Sequence, residues 1–420
     1  MNAKSIVFVN RFFYPDHSAT AQIVSDLAFV LARQNYSVKV LTTQGLYHSA
    51  DASLATHEIC GGVEILRVYR PRFGREGLYG RALDYFLMYL VFSKALFSVA
   101  RRGDIVIAKT DPPLLSVALL PVVLIRGAKL INWLQDLYPE VAVAFGMRTL
   151  APISPFLGFM RGLSLKKALR NVVIGSRMES FVVRLGVPAE QVSVIPNWCT
   201  QEEIRPLDQD EHPLRREWGL GGKFVVAYSG NLGRAHETAT LLDAAERLKE
   251  EEGLIFLFIG GGALSAPLRA EVDRRGLGAL FMFEPYQPSD RLRFTLTLPD
   301  VFWVSLRPEM EGLIVPSKFY GNCAAGRATI FVGDPEGEIG RLVEEHDCGL
   351  SVSVGDSVRL AEAILRLKND RPRLEAMGRN ARRASDETLS RTASLDAWER
   401  LVAAEIGRPG AAPQDGASRK

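Results

Sequence analysis

The chain has few cysteines for its length. Cys60, Cys199, Cys323 and Cys348 are the only four in 420 residues, and none stands at a CxxC or other metal-ligand spacing. That scatter excludes a disulfide framework and a zinc site, and it fits free thiols in a reducing cytoplasm. Excess charge of one sign is also scarce. Lys and Arg number 51 against 48 Asp and Glu, a net charge of +3, which argues against a general nucleic-acid binder with its concentrated basic face. Long apolar runs are missing as well. The most apolar uncharged stretch, Pro112 to Ile125, contains Pro121 and falls short of the roughly 20 residues a spanning helix needs, so no transmembrane segment is expected. A strand pattern begins almost at once at Ser5 to Val9. It leaves no room for the charged and apolar regions of a signal peptide, and export is not expected.

What is present is the composition of a well-packed globular protein, with 47% hydrophobic and 24% charged residues. The length predicts two domains. Short β-branched runs alternate with amphipathic helical stretches: Ser5 to Val9, Ser37 to Thr42, Val63 to Tyr69, Asp104 to Ala108, Lys129 to Trp133, Asn171 to Ile174 and Val192 to Ile195. After a polar, proline-bearing lapse the series resumes at Lys223 to Ser229 and Leu254 to Ile259, and continues near Ala279 to Phe283, Asp300 to Val304, Ala328 to Val332 and Gly349 to Val352. This alternation predicts an α/β protein with two Rossmann-like, doubly wound parallel sheets facing across a cleft. The expected divisions are a first domain over residues 1–197, a linker over 198–213, a second domain over 214–388, an amphipathic helix within 389–407 and a disordered tail over 408–420. The helix carries Leu395, Trp398, Leu401 and Val402 on one stripe. It must pack on something, and a return to the first domain is one possibility.

Ligands of doubly wound sheets bind at the carboxyl ends of the strands, so three loops matter most. The first follows Ile6 to Val9, where Ser18 reads either as a helix cap or as a small residue that admits a ligand to the helix N-terminus. The second follows Lys223 to Ser229 as Gly230, Asn231, Leu232, Gly233, Arg234, Ala235, His236. Its glycines suggest a tight turn with accessible backbone donors, and Arg234 suits phosphate oxygens better than a solvated surface role. His236 is a weaker candidate that reads equally as a packing residue. The third, Glu311 to Tyr320, reads EGLIVPSKFY. Lys318 at a helix start opposes the macrodipole unless an anion is present, which favours a diphosphate there, while Glu311 is placed for sugar hydroxyls. Ser317 reads first as a helix cap.

These strings in this order, YSGNLGRAH, FIGGG at Phe258 to Gly262, EGLIVPSK and AAG, with VIPNW at Val194 to Trp198, resemble the retaining family 4 glycosyltransferases of GT-B fold. In the N-terminal half RFFYPD, TDPPLL at Thr110 to Leu115 and WLQDLYPE at Trp133 to Glu140 look like bacterial surface-polysaccharide transferases of the fucosamine-transferase type. The resemblance spans nearly the whole chain. It implies transfer of a sugar from a nucleotide-diphosphate donor, UDP by default, without an obligatory metal or other cofactor. The lack of a paired aspartate motif agrees. By the same resemblance Arg234 and Lys318 neutralise the departing diphosphate, Glu311 binds the donor sugar, and Gly312, Leu313 and Ile314 offer backbone donors. One departure stands out: the glutamate that many members place five residues before the AAG glycine, where it binds ribose, is Gly321 here.

Asp136 reads as a residue that orients the acceptor hydroxyl or takes its proton, with a cap or turn former as the plain alternative. Glu140 ranks behind it. Arg67, Arg70, Arg72, Arg75 and Arg81 precede an aromatic stretch with Tyr85, Phe86, Tyr89, Phe92 and Phe97. That pattern fits either an anionic membrane surface or a core helix flanked by solvated arginines. Lys166, Lys167 and Arg170 extend it. Together the residues predict an enzyme peripheral on the inner face of the plasma membrane that adds a sugar to a polyprenyl-linked acceptor, with no nucleic-acid partner. A nucleotide-sugar epimerase and a catalytically silent assembly subunit are the alternatives.

Overall fold

A computed structural model describes residues 4–47, 54–71, 78–147, 151–199, 204–209 and 212–407. Arg72, Arg75 and the tail over 408–420 lie outside the described residues.

Among the described residues the chain forms fourteen strands: β1 (Ser5–Val9), β2 (Ser37–Thr43), β3 (His57–Cys60), β4 (Val63–Tyr69), β5 (Ile105–Lys109), β6 (Lys129–Trp133), β7 (Arg170–Val173), β8 (Val192–Val194), β9 (Phe224–Asn231), β10 (Leu254–Gly261), β11 (Phe281–Glu284), β12 (Val301–Ser305), β13 (Ala328–Gly333) and β14 (Gly349–Ser353). They build two sheets, ordered β3-β4-β2-β1-β5-β6-β7-β8 and β11-β10-β9-β12-β13-β14. Burial on both faces explains the unbroken hydrophobicity of the central strands. In β1, Ile6 and Phe8 join one core while Val7 and Val9 join the core on the opposite face. The second sheet is parallel throughout, and the first carries one antiparallel edge strand, β3, against β4, where an all-parallel sheet was expected.

The order of each sheet reverses at its centre, between β1 and β5 in the first and between β9 and β12 in the second. Such switch points open a crevice at the strand ends. The loops after β1, β5, β9 and β12 are therefore the ones positioned for ligands.

The two sheets share an apolar seam. Leu134, Leu137, Val141 and Met178 of the first half pack in one core with Met310, Leu313, Val315 and Ile339 of the second. The last helix, Arg391–Ile406, packs against the first sheet: Trp398 is fully buried with its ring 4.6 Å from that of Trp133, and Glu405 pairs with Lys129 at 2.9 Å. Its N-cap Ser390 accepts from the Ala393 N–H at 3.1 Å.

The helix Leu78–Val99 is both core and surface. Met88, Phe92 and Leu96 are buried, whereas Leu83, Phe86, Leu90 and Phe97 are exposed. Its segment Ala82–Val99 is long and apolar enough, by length and composition, to cross a membrane, although Asp84 and Lys94 interrupt it and leave no long uncharged run.

Candidate active site

In the second sheet, β9 and β10 run side by side to their ends, with Gly230 opposite Gly260. Both have positive φ, +127° and +122°. A Cβ on Gly260 would stand 2.4 Å from the Gly230 carbonyl oxygen, and one on Gly230 would stand 2.6 Å from Lys318 Cε. Only glycine admits this approach. The turn beyond is closed by the His236 N–H on the Gly233 carbonyl at 3.2 Å, and the Arg307 N–H donates to the Ala235 carbonyl at 2.9 Å, tying this loop to the one after β12. His236 serves that same junction: its Nδ1–H donates to the Ser305 carbonyl at 2.7 Å, and its Nε2 lies 3.0 Å from the Tyr228 hydroxyl. Burial, then the Lys318 ammonium, lowers its pKa to about 4, so the ring is neutral near pH 7. His236 packs and pins the loop.

Lys318 begins the helix Lys318–Ala324, as expected, and points into this hollow. Burial lowers its pKa. Among the described residues it has neither a hydrogen bond nor an ion pair, and the exposed Arg234 is equally without a partner. Two unpaired cations at a glycine-lined switch point are a ready counter-charge for a diphosphate. Asn231 and Gly233 complete the rim of the same loop. Ser317 occupies the N-cap position but makes no capping hydrogen bond with its side chain.

Glu311 lies on the loop after β12. Its Oε1 accepts from the Glu338 N–H at 2.8 Å, and its Oε2 is buried without a partner among the described residues. Burial first, and then Glu338 and Asp334, push its pKa up. An orphaned carboxylate oxygen is what a sugar hydroxyl would satisfy. One expectation fails here. The N–H groups of Leu313 and Ile314 both point at the Met310 carbonyl, at 3.0 and 3.3 Å, because Gly312, at φ +74°, turns the chain back on itself. They are spent inside the turn and are not free for a donor.

Across the cleft, Ser18 precedes the helix Ala19–Arg33 in extended conformation, with no side-chain cap and a buried, unpartnered Oγ. The cap reading therefore does not hold. Asp136 follows β6 and lines a cavity with Lys109, Thr110, Asn132, Tyr138 and Arg161. Burial, then Asp111, raises its pKa to about 6, against the pull of Lys109. Glu140 is held by Arg161 at 2.6 Å.

Lys109 escaped notice in the sequence, since a lysine at the end of an apolar strand reads as the point where the strand meets solvent. It is in fact buried, donates to the Thr20 carbonyl at 3.0 Å and lies 4.4 Å from the centre of the Trp133 ring. Burial lowers its pKa to about 7, with Asp111 and Asp136 opposing. Tyr85 lies against Arg11 of the β1 loop, 3.4 Å from its guanidinium, and so faces the cleft end of the sheet. Arg81 belongs to the same helix, and its side chain lies outside the described atoms. The VIPNW string is structural: Asn197 and Gln135 exchange amide hydrogen bonds at 2.9 and 3.1 Å, and Trp198 donates to Asp26 at 2.8 Å.

The two halves meet directly at the site. The Leu137 N–H, one residue from Asp136, donates to the Leu313 carbonyl, two residues from Glu311, at 3.0 Å. Among the described residues no cluster of ligating side chains suits a metal ion.

Residues 18–198 match the model of the glycosyl transferase 4-like domain and residues 210–384 that of the glycosyl transferases group 1. The chain is 31% identical over 297 residues to the probable glycosyltransferase WbjE of Pseudomonas aeruginosa, covering 70% of this chain and 73% of that protein. It is 30% identical over 195 residues to the putative colanic acid biosynthesis glycosyl transferase WcaI of Escherichia coli K12, 45% of this chain and 47% of the other. In fold it resembles Anabaena HepE, solved with UDP and glucose, at a TM-score of 0.71 and 15% identity over 96% of this chain and all of that one. Sucrose-phosphate synthase of Thermosynechococcus elongatus superposes at 0.74 with 17% identity, again over 96% of this chain and all of the other. Two Rossmann-like sheets with switch-point loops facing one another are the GT-B architecture, and the chain belongs to the group 1 glycosyltransferases with a glycosyl transferase 4-like first domain.

Proposed function

We propose that this glycosyltransferase works with retention, moving a sugar from a nucleotide-diphosphate donor, UDP by default, to a polyprenyl-diphosphate-linked acceptor in bacterial polysaccharide or O-antigen assembly, as an enzyme of the fucosamine-transferase type. The observation that carries the reading is the hydrogen bond between the Asp136 and Glu311 loops beside two unpaired cations. It gives the cleft an acidic acceptor side, a sugar-binding carboxylate and a diphosphate seat. The acceptor hydroxyl attacks the anomeric carbon on the face from which the diphosphate leaves, the leaving oxygen helps to take its proton, and Lys318 and Arg234 stabilise the charge that develops. Relatives named for colanic acid biosynthesis and for an O-antigen chain mannosyltransferase support the polysaccharide context.

Calorimetry against a panel of nucleotide diphosphates and nucleotide sugars tests this reading. Binding of one nucleotide sugar, followed by transfer to a lipid-linked sugar with the anomeric configuration retained by NMR, is the expected result. Conversion of the nucleotide sugar without an acceptor would identify an epimerase. No binding by folded protein would identify a silent subunit.

The acceptor's lipid calls for a membrane surface, and the first domain offers one. Leu83, Phe86 and Leu90, Leu124 and Ile125 of the helix Leu115–Arg126, and Phe156, Phe159 and Leu163 of the helix Ser154–Lys167 are exposed. Those helices pack side by side, and Lys94, Lys166 and Lys167 are exposed on them. Apolar side chains among lysines suit the interface of an anionic bilayer, which supports the reading of a peripheral enzyme on the cytoplasmic face. Phe156 and Phe159 were not part of the sequence expectation.

A further inference from the structure

Glu338 stands at the seam between the domains and belongs to none of the motifs read from the sequence. It opens the helix Glu338–Glu345 of the second domain. Its carboxylate reaches into the first domain, where Oε2 accepts from the Ser176 hydroxyl at 2.9 Å and from the Arg177 N–H at 3.0 Å. Both donors lie at the N-terminus of the helix Ser176–Arg184, whose own N-cap is Gly175 and has no capping side chain. Glu338 thus caps a helix of the opposite domain. Its backbone N–H meanwhile donates to Glu311 Oε1 at 2.8 Å.

Two glycines make this chain of contacts possible. A Cβ on Gly175 would stand 2.5 Å from Glu338 Cδ, and a Cβ on Gly337 would stand 2.4 Å from Glu311 Oε2. Any side chain at either place would displace one of the two carboxylates. The Arg177 guanidinium donates to the Glu336 carbonyl, a further contact across the same seam.

We propose that Glu338 is a positioning residue that couples closure of the two domains to the orientation of Glu311. When the domains separate, the carboxylate of Glu338 loses Ser176 and Arg177, and the N–H that holds Glu311 is no longer fixed to the opposite wall. When they meet, Glu311 is set with Oε2 toward the donor sugar. The nucleotide seat around Gly230 and Lys318 is independent of this linkage, so the sugar and the nucleotide are held by separable parts of the site.

The role given to Glu311 rests on the transferase reading, and the test keeps the two apart. Wild type, Glu338→Ala, Glu338→Gln and Ser176→Ala are compared in three measurements: calorimetric affinity for UDP and for whichever nucleotide sugar the wild type binds, acceptor-independent hydrolysis of that nucleotide sugar, and small-angle scattering. Failure of the wild type to bind any nucleotide would overturn the transferase reading itself. Given binding, the expected pattern is unchanged UDP affinity in every variant, a loss of kcat of tenfold or more in Glu338→Ala, retention within about threefold in Glu338→Gln, whose amide oxygen still accepts, and a larger radius of gyration in Glu338→Ala. Glu311→Ala with Glu338→Ala should be no slower than Glu311→Ala alone. An additive double mutant, or wild-type kcat and radius of gyration in Glu338→Ala, would overturn the coupling. Should Glu338→Ala fail to fold, Ser176→Ala, which removes one hydroxyl, carries the same expectations at smaller amplitude.

Discussion

Replacing Lys318 by methionine should move binding and stability in opposite directions. In the unliganded protein the ammonium is half-buried in a glycine-lined hollow, has no partner among the described residues, and has its pKa lowered by burial alone. The folded state therefore carries a charge it disfavours, and an apolar side chain of similar length should be neutral or stabilising. With a diphosphate bound, the same ammonium becomes a charge-assisted donor, worth about 1.5–3 kcal/mol, so its loss should weaken binding by roughly tenfold to a hundredfold. The assays are calorimetric titration with UDP and thermal unfolding without ligand. The pH dependence has a definite sign. Lys318 is lowered in the folded protein, so the free protein gains stability as pH rises from below the folded pKa toward the unfolded one. The methionine variant should lack that gain. Unchanged UDP affinity would remove Lys318 from the site, and a large fall in unliganded stability would refute the claim that its charge is uncompensated.

Asp136, raised to about 6, should give activity a rising limb near that pH if it acts ionised, and Asp136→Asn should abolish the limb; a limb that persists in the variant excludes Asp136 as its source. Because Lys109 pulls Asp136 down, Lys109→Met should move the limb to higher pH, seen in kcat/KM profiles. The raised carboxyl binds its proton more tightly in the folded state, so its stabilising effect is present below the unfolded value and lost as pH rises through about 6. Asp136→Asn should therefore be more stable than wild type at pH 8, by up to about 3 kcal/mol, and not at pH 4, by denaturant unfolding. Phe156→Ser with Phe159→Ser should reduce co-sedimentation with vesicles of phosphatidylglycerol while leaving UDP affinity intact; undiminished binding would assign the exposed face to something other than lipid.

The strands were legible because their residues are buried on both faces, so β-branched runs such as Ile105–Lys109 stand out without any partner in view. The strand His57–Cys60 was not, since its side chains are exposed or half-buried and it pairs only at the sheet edge. The loops bearing Gly230, Arg234, Glu311 and Lys318 were legible through their glycines and unmatched charges. What those groups touch was not: the turn that consumes the Leu313 and Ile314 N–H groups is a matter of angles, and Glu338 finds Ser176 across 162 positions of sequence. The helix Leu78–Val99 is apolar on most of its circumference, so its sequence alone could not divide Phe92, in the core, from Phe86, at the surface.

Gly321 stands where, by the resemblance, many members carry a ribose-binding glutamate, and packing does not demand the glycine. It sits within the helix Lys318–Ala324 at ordinary helical φ, and a Cβ there would meet only Leu296 Cδ1, at 3.7 Å, a normal van der Waals distance. A glycine inside a helix costs about 0.5–1 kcal/mol relative to alanine, so Gly321→Ala should raise stability by about that amount in denaturant unfolding. A loss of stability instead would mean that the position is tighter than the 3.7 Å separation allows. If the gain is found, sterics within the protein did not select the glycine. Calorimetry then separates two cases. Weaker nucleotide binding by the stabilised variant would place the nucleoside against this helix, with ribose held by contacts other than a carboxylate at this position, whereas equal binding would place the nucleoside elsewhere in the cleft.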